Sequence, residues 1–178
     1  LLCENMTGYQ NLCYMVSQAY LDGFYGKPRV DLQLLRQHAK GLIALSACLA
    51  GAIPQRLMDD DFDAAKAYAL ELSEIFGPEN FYLELQDHGI PEQKAVNTQL
   101  LRMSKETGID LVATNDVHYT YASDADSHDI LLCLQTGKKL SDTDRMRYEG
   151  GQYFVKSEEE MKNLFPYALE ALENTQKI

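Results

Sequence analysis

The chain has 178 residues, of which 46% are hydrophobic and 24% charged, and its formal net charge is −11. These values are typical of a globular chain with one hydrophobic core and exclude a mainly disordered or collagen-like protein. No apolar run approaches the roughly 18–20 residues of a membrane span, and the first residues lack the basic segment of a signal peptide. We therefore expect a soluble, cytoplasmic protein with no membrane partner.

Charge and cysteine usage narrow the function classes further. With 16 basic and 27 acidic residues, the chain has the wrong sign of charge to neutralise nucleic-acid phosphates by itself. We therefore expect it to bind duplex DNA weakly at physiological salt. The four cysteines show no C-x-x-C spacing, which argues against a disulfide framework. Three of them, Cys3, Cys13 and Cys133, are interpreted as small buried apolar residues.

The first quarter of the chain alternates between helix and strand signals. A helical stripe of apolar residues from Leu12 to Tyr20 predicts a helix that ends near Gly23. Asp31 can cap a short helix that stops at Gly41, and residues 42–45 then form a predicted buried strand. The opening Leu1-Leu2 is interpreted as the end of a buried strand, which suggests an excised fragment.

The middle of the chain continues this alternation. A helix is predicted from Asp61 to Gly77, followed by a strand over residues 81–85. A further helix is predicted from Pro91 to Gly108, and residues 111–114 form the next strand. Such alternation with short connections predicts parallel strands joined by crossover helices, in an α/β sheet or barrel.

The pattern changes after Asp124. One more helix is predicted with Ile130, Leu131 and Leu134 on its apolar side, followed by a polar stretch over residues 137–151. A further strand is expected over residues 152–156. Ser157 and Glu160 then fit a capping box and predict a terminal helix, which Pro166 interrupts near its middle. Two basic residues of the polar stretch are interpreted as part of a solvated loop, Arg145 and Arg147.

Three of the predicted strands lead into side chains that can bind metal. Cys48 follows the first, His88 the second, and Asp116 and His118 the third. Because the carboxyl ends of parallel strands share one edge of a sheet, these side chains are expected near each other. Carboxylate, imidazole and thiolate groups together suit borderline divalent metals.

Each of these residues also has a simpler interpretation. An Asp-x-His pair occurs in many solvated loops, and an isolated cysteine such as Cys48 is more often a buried apolar residue. His88, followed by Gly89, fits a turn residue or an outer hydrogen-bond donor better than a direct ligand. His128, near the start of a helix, is ambiguous. The agreement of three strand ends is what favours a metal site.

Four long segments resemble one known family. They are similar to the polymerase and histidinol phosphatase (PHP) domain of bacterial replicative DNA polymerase III alpha subunits, and the likeness extends over essentially the whole chain. The segments are Leu2–Leu12, Gly41–Gly51, Tyr82–Gln93 and Val112–Tyr119.

The resemblance implies a fragment of a distorted seven-stranded β/α barrel, TIM-like, with a metal cluster at the carboxyl ends of its strands. Cys48, Asp116 and His118 match ligands of that cluster, which would hold Zn or Mn, and His88 would support the ligands by a hydrogen bond without binding the metal itself. The family's opening His-x-His motif and other ligands belong before Leu1. Residues 1–178 would thus be a single PHP-domain fragment without its N-terminal strands, and residues 137–178 a C-terminal extension packing on the barrel.

The resemblance also implies a parent enzyme, a DNA-directed DNA polymerase (nucleotidyltransferase) of chromosome replication. DNA, nucleoside triphosphates and Mg would bind to other domains, which hold the polymerase carboxylates, and other replicase subunits would be partners. This chain would supply a metal-dependent phosphoesterase or proofreading-like site, or only a scaffold. Alone it would be inactive and prone to self-association through an open barrel edge. The alternatives are a free-standing metal-dependent phosphoesterase of the same superfamily and a purely structural interaction module.

Overall fold

Four short strands build the central sheet of the chain, whose residues 1–178 are all described by a computed structural model. The strands lie side by side in chain order. The first pairs antiparallel with the second, whereas the second, third and fourth are parallel neighbours, as predicted. Their ranges are β1 Leu2–Cys3, β2 Leu42–Leu45, β3 Phe81–Leu85 and β4 Leu111–Ala113.

Eight α-helices accompany the sheet, and most of them begin or end at the residues that the sequence indicates. Asp31 and Asp61 cap two helices by accepting hydrogen bonds from the amides of Leu34 and Ala64, at 2.7 and 3.0 Å. Gly108 ends another helix in the left-handed conformation. The helices are α1 Met6–Leu21, α2 Leu32–His38, α3 Ala52–Met58, α4 Phe62–Phe76, α5 Pro91–Thr107, α6 Ala125–Thr136, α7 Glu158–Leu164 and α8 Leu169–Glu173.

The main hydrophobic core lies on one face of the sheet. It joins alternate residues of β2, β3 and β4 to apolar residues of the helices in a cluster of 21 buried side chains. The opposite face carries a small second cluster of three buried residues, Ile43, Tyr82 and Val112. Apolar residues on both faces are typical of parallel sheets that are covered on both sides.

The C-terminal region packs into the same main core. Phe165, Ala168 and Ala171 have no exposed surface. The side-chain amide of Asn174 donates a 2.7 Å hydrogen bond to the carbonyl oxygen of Leu111, at the start of β4. The predicted capping box of Ser157 is also present at the start of α7. The end of the chain therefore contributes directly to the packing of β4.

Several predictions about burial are wrong. Leu1 and Leu2 are exposed because β1 is a two-residue edge strand, and Cys3 and Cys13 are exposed as well. Of the four cysteines, which are all unpaired, only Cys133 is buried. On α6 the apolar side that was expected to pack inward is exposed, and it consists of Ile130, Leu131 and Leu134. The residues of α6 that are buried are Leu132 and Cys133.

Two elements also differ from their predictions. Residues 152–156 form no strand; they make one isolated parallel bridge, between Phe154 and Tyr119. Helix α3 was not predicted, since Gly51 at its N-cap offers no side chain and Pro54 stands in its first turn, where proline is tolerated. No helix of the chain has both the length and the hydropathy of a membrane-spanning segment.

Candidate metal site

The loops that follow β2, β3 and β4 meet at one edge of the sheet. The hydroxyl of Ser46, just after β2, accepts a 2.8 Å hydrogen bond from the amide of Glu84 in β3. The hydroxyl of Thr114, just after β4, donates to the carboxylate of Glu84 at 2.5 Å, and Gln86 donates to the same carboxylate oxygen at 3.1 Å. The strand ends are therefore linked by polar side chains as well as by the backbone ladder.

Asp116 and His118 lie next to each other after β4. Their Oδ1 and Nε2 atoms are 3.4 Å apart, and their side chains are 42% and 30% exposed. Asp116 has a φ of +42°, in the left-handed region that few residues other than glycine adopt. Such strained backbone is concentrated at functional sites, where the surrounding structure maintains it. The pair presents a carboxylate and an imidazole, two donor groups that Zn and Mn accept.

Cys48 lies at the same edge but does not complete this pair. It is exposed, follows Ala47 with its φ of +67°, and lines a small pocket together with Glu84 and Gln86. In residues 1–178 no three His, Cys, Asp or Glu side chains lie close enough together to hold a metal ion. The chain thus offers two adjacent donors, and the structure does not bring Cys48 into contact with them.

His88 is buried, with both ring nitrogens in hydrogen bonds. Nδ1 lies 3.0 Å from the side-chain nitrogen of Gln93, and Nε2 lies 3.0 Å from the carbonyl oxygen of Asn115. A ring with both nitrogens occupied in this way has no lone pair free for a metal. The geometry places His88 next to the backbone that carries Asp116.

An aromatic cluster that sequence reasoning missed surrounds His118. The ring of Tyr148 lies 4.2 Å from that of His118, centroid to centroid, and contacts His128 and Tyr153 edge-on at 5.2 and 4.8 Å. Burial raises the pKa of Tyr148, and the charges of Asp116 and Cys48 raise it further. Tyr148 comes from the polar stretch 137–151 and Tyr153 from the segment 152–156 that was predicted as a strand, and neither pattern indicates a contact with His118.

Arg145 is not part of a solvated loop, contrary to the prediction. Its side chain is only 4% exposed and forms a two-pronged ion pair with Asp129 of α6, with N–O distances of 2.5 and 2.6 Å. This pair anchors the polar stretch that carries Tyr148 to helix α6. Hydrogen bonds from Arg145 hold the pKa of Asp129 below its usual range.

The depressed pKa of Asp129 predicts a pH dependence. A lowered pKa in the folded state contributes stability above the unfolded value, about 3.9, and that stability is lost as the pH falls through the folded pKa. Asp129→Asn should therefore lower the melting temperature at pH 7 and should show a smaller loss on acidification below about pH 4 than the wild type. The exposed neighbour Asp144 provides the control, Asp144→Asn. Equal acid sensitivity of the wild type and Asp129→Asn would contradict the assignment.

Comparison with known proteins gives consistent matches. A family model described as the PHP domain matches residues 1–88. The chain is 47% identical over 168 residues to the DNA polymerase III subunit alpha of Thermus aquaticus, covering 94% of the chain and 14% of the relative. The corresponding proteins of Treponema pallidum and Helicobacter pylori are 45% and 43% identical, covering 99% and 100% of the chain.

These relatives are much longer than the chain, which spans 14–15% of their length. The family model ends at residue 88, before β4, whereas the similarity to the Helicobacter pylori protein covers the whole chain and so includes every strand and both loops that carry Asp116 and Cys48. The chain therefore matches the PHP-domain model in its first 88 residues and is similar along its whole length to alpha subunits of DNA polymerase III.

Proposed function

We propose that the chain is the PHP-domain portion of a bacterial replicative DNA polymerase, which extends DNA from nucleoside triphosphates in the cytoplasm during chromosome replication. The observation that carries this proposal is the 43–47% identity to alpha subunits over almost the whole chain. The same similarity favours a polymerase parent over a free-standing phosphoesterase, because the matched relatives bear the name of a polymerase subunit.

Within that parent, we assign DNA, nucleoside triphosphates and Mg to other domains. The net charge of −11 supports this assignment, because an acidic surface repels the phosphate backbone. Other replicase subunits are its further partners. The isolated chain is expected to self-associate, since the edge strand β1 lies beside an apolar groove whose lining includes Leu1, Val16 and Tyr20.

We assign the sheet to a distorted seven-stranded β/α barrel, to which this chain contributes β1–β4 and further strands come from the parent. The parallel pairing of β2, β3 and β4 supports a barrel, and so does the buried cluster of Ile43, Tyr82 and Val112 on the second face. In a closed barrel that face lines the interior. Residues 137–178 are its C-terminal extension, as the burial of Phe165 in the main core supports.

We assign Asp116 and His118 to a Zn or Mn site at the carboxyl ends of the strands. Their donor groups and their 3.4 Å separation fit two positions of such a site. Cys48 is the third ligand that we assign from this chain, on the basis of its place after β2, and the parent supplies the others. When bound, the metal would activate water for phosphoester hydrolysis or stabilise the domain as a scaffold. With a partial set of ligands, the chain alone is expected to bind metal weakly and to have no turnover.

Primer extension by the full-length protein tests the proposed function. We expect the purified parent to extend a primed template when all four nucleoside triphosphates and Mg are present, and the separately produced 178-residue chain to show no extension. A gene that ends near residue 270 of the whole protein, about the size of one domain of this kind, would instead support the free-standing phosphoesterase. Metal-dependent phosphoester hydrolysis without primer extension would do the same.

A further inference from the structure

Hydrogen bonds fix the tautomer of the buried His88. The side-chain oxygen of Gln93 accepts a 2.7 Å hydrogen bond from the His88 backbone amide, so its side-chain nitrogen must face the ring. That nitrogen can only donate, which makes Nδ1 of His88 an acceptor. The carbonyl oxygen of Asn115 can only accept, which places the ring proton on Nε2. His88 is therefore held as the neutral Nε2–H form.

The carbonyl group that His88 holds belongs to the peptide unit leading into Asp116. The rotation of this peptide unit helps to set φ of Asp116, which is +42°. An L-residue in the left-handed region is strained by the close approach of its Cβ to the following carbonyl oxygen. The hydrogen bond from His88 opposes rotation of the peptide unit and so opposes relaxation of this strain.

Asn115 is also fixed from the other side. Its side-chain nitrogen donates to the carbonyl oxygens of Gln152 and Phe154, at 2.9 and 2.7 Å, and its oxygen accepts from Lys156 at 3.2 Å. Residue 115 is thus held through its main chain by His88 and through its side chain by the segment 152–156.

The same segment connects His88 to His118. The ring of Tyr153 stacks on His88, with centroids 4.0 Å apart and planes within 12°. The carbonyl oxygen of Tyr153 accepts a 2.8 Å hydrogen bond from the amide of His118. Both members of the Asp116–His118 pair are therefore tied to His88, one through Asn115 and the other through Tyr153.

We propose that His88 is a positioning residue: its hydrogen bond to Asn115 and its stacking on Tyr153 set the relative placement of Asp116 and His118. Its hydrogen-bonded nitrogens exclude it from direct metal ligation. The proposal rests on the assignment of Asp116 and His118 to a metal site, but the placement of these two residues can also be measured without metal.

The test compares His88→Phe with His38→Phe in the full-length parent. Phenylalanine keeps a ring against Tyr153 but loses both hydrogen bonds of the His88 ring. His38 is a matched control, because its ring also contacts a tyrosine, Tyr14 at 4.5 Å, and makes one side-chain hydrogen bond away from the site. Zinc and manganese affinities are measured by chelator competition. Residues that support ligands typically contribute 10–100-fold to affinity, so we expect a loss of about 10–100-fold for His88→Phe and none for His38→Phe.

Two further readouts separate positioning from ligation and from loss of folding. X-ray absorption at the metal edge should count the same number of imidazole ligands in His88→Phe as in the wild type. Gln93→Leu retains His88 but removes the hydrogen bond to Nδ1 that fixes its tautomer, so this variant should also lower metal affinity. If His88→Phe does not fold, Gln93→Leu takes its place in the test. Loss of one imidazole ligand in His88→Phe, or wild-type affinity in both variants, would overturn the proposal.

A metal-free measurement keeps this proposal distinct from the proposed function. In a crystal structure of the metal-free parent, His88→Phe should shift Asp116 relative to His118 by about 1 Å, enough to disable a metal site. If the wild-type parent binds no zinc or manganese, the assigned metal site fails, but this shift still supports positioning. An unchanged Asp116–His118 geometry in the variant would overturn positioning regardless of metal.

Discussion

Replacing Asp116 with asparagine in the full-length parent is expected to weaken the binding of zinc or manganese to the proposed metal site by at least about 100-fold. The substitution removes the negative charge beside His118 but keeps the shape of the side chain. Asparagine tolerates the left-handed backbone that Asp116 adopts, so the loop should retain its conformation. Metal content after dialysis and chelator competition measure the effect.

The control for this substitution lies at the opposite end of the same strand. Asp110 precedes β4, is 54% exposed and forms a 3.6 Å ion pair with Lys177. Asp110→Asn makes the same chemical change away from the candidate site and should leave metal affinity unchanged. Both aspartates are exposed, so neither variant should change the free energy of unfolding by more than about 0.5 kcal/mol. Equal metal affinities in the two variants would exclude Asp116 as a ligand.

The parallel sheet was predictable because its signals are local. Residues 42–45 and 81–85 are short apolar runs bounded by helix ends, and both are strands with these limits. The caps at Asp31 and Asp61 are also local, since each aspartate contacts an amide three residues later. In contrast, the inward side of α6 depends on what packs against it, and its apolar residues on two sides gave no basis for choosing between them.

The candidate site was predictable only in part, for the same reason. The spacing of Asp116 and His118 sets their proximity within one loop, and the sequence contains that spacing. The partners of Asn115 lie 37 and 39 residues away in segment 152–156, and no periodic pattern marks them. Burial of Arg145 depends on an aspartate 16 residues earlier on α6. Such long-range polar contacts have no signature in a single sequence.

Phe165→Ala is expected to destabilise the main core by about 3–5 kcal/mol, the usual cost of removing a fully buried phenylalanine. Phe165 has no exposed surface and belongs to the same cluster as Leu83 and Leu111 of the sheet. The cavity left by the ring would therefore weaken β3 and β4 as well as α7. Hydrogen exchange of the full-length parent measures this locally, which avoids the unfolding transitions of other domains.

The pattern of exchange tells whether residues 137–178 share the core of the sheet or are only docked on it. If they share it, as the contact of Asn174 with Leu111 indicates, Phe165→Ala raises exchange in β3 and β4 together with exchange in α7 and α8. If they are only docked, exchange rises in residues 158–173 alone, while the strands keep their protection. Phe24→Ala is the matched control, because Phe24 is 57% exposed and its removal leaves no cavity in the core. Joint loss of protection in Phe165→Ala, without a change in Phe24→Ala, is the expected result, because a side chain buried between two elements stabilises both.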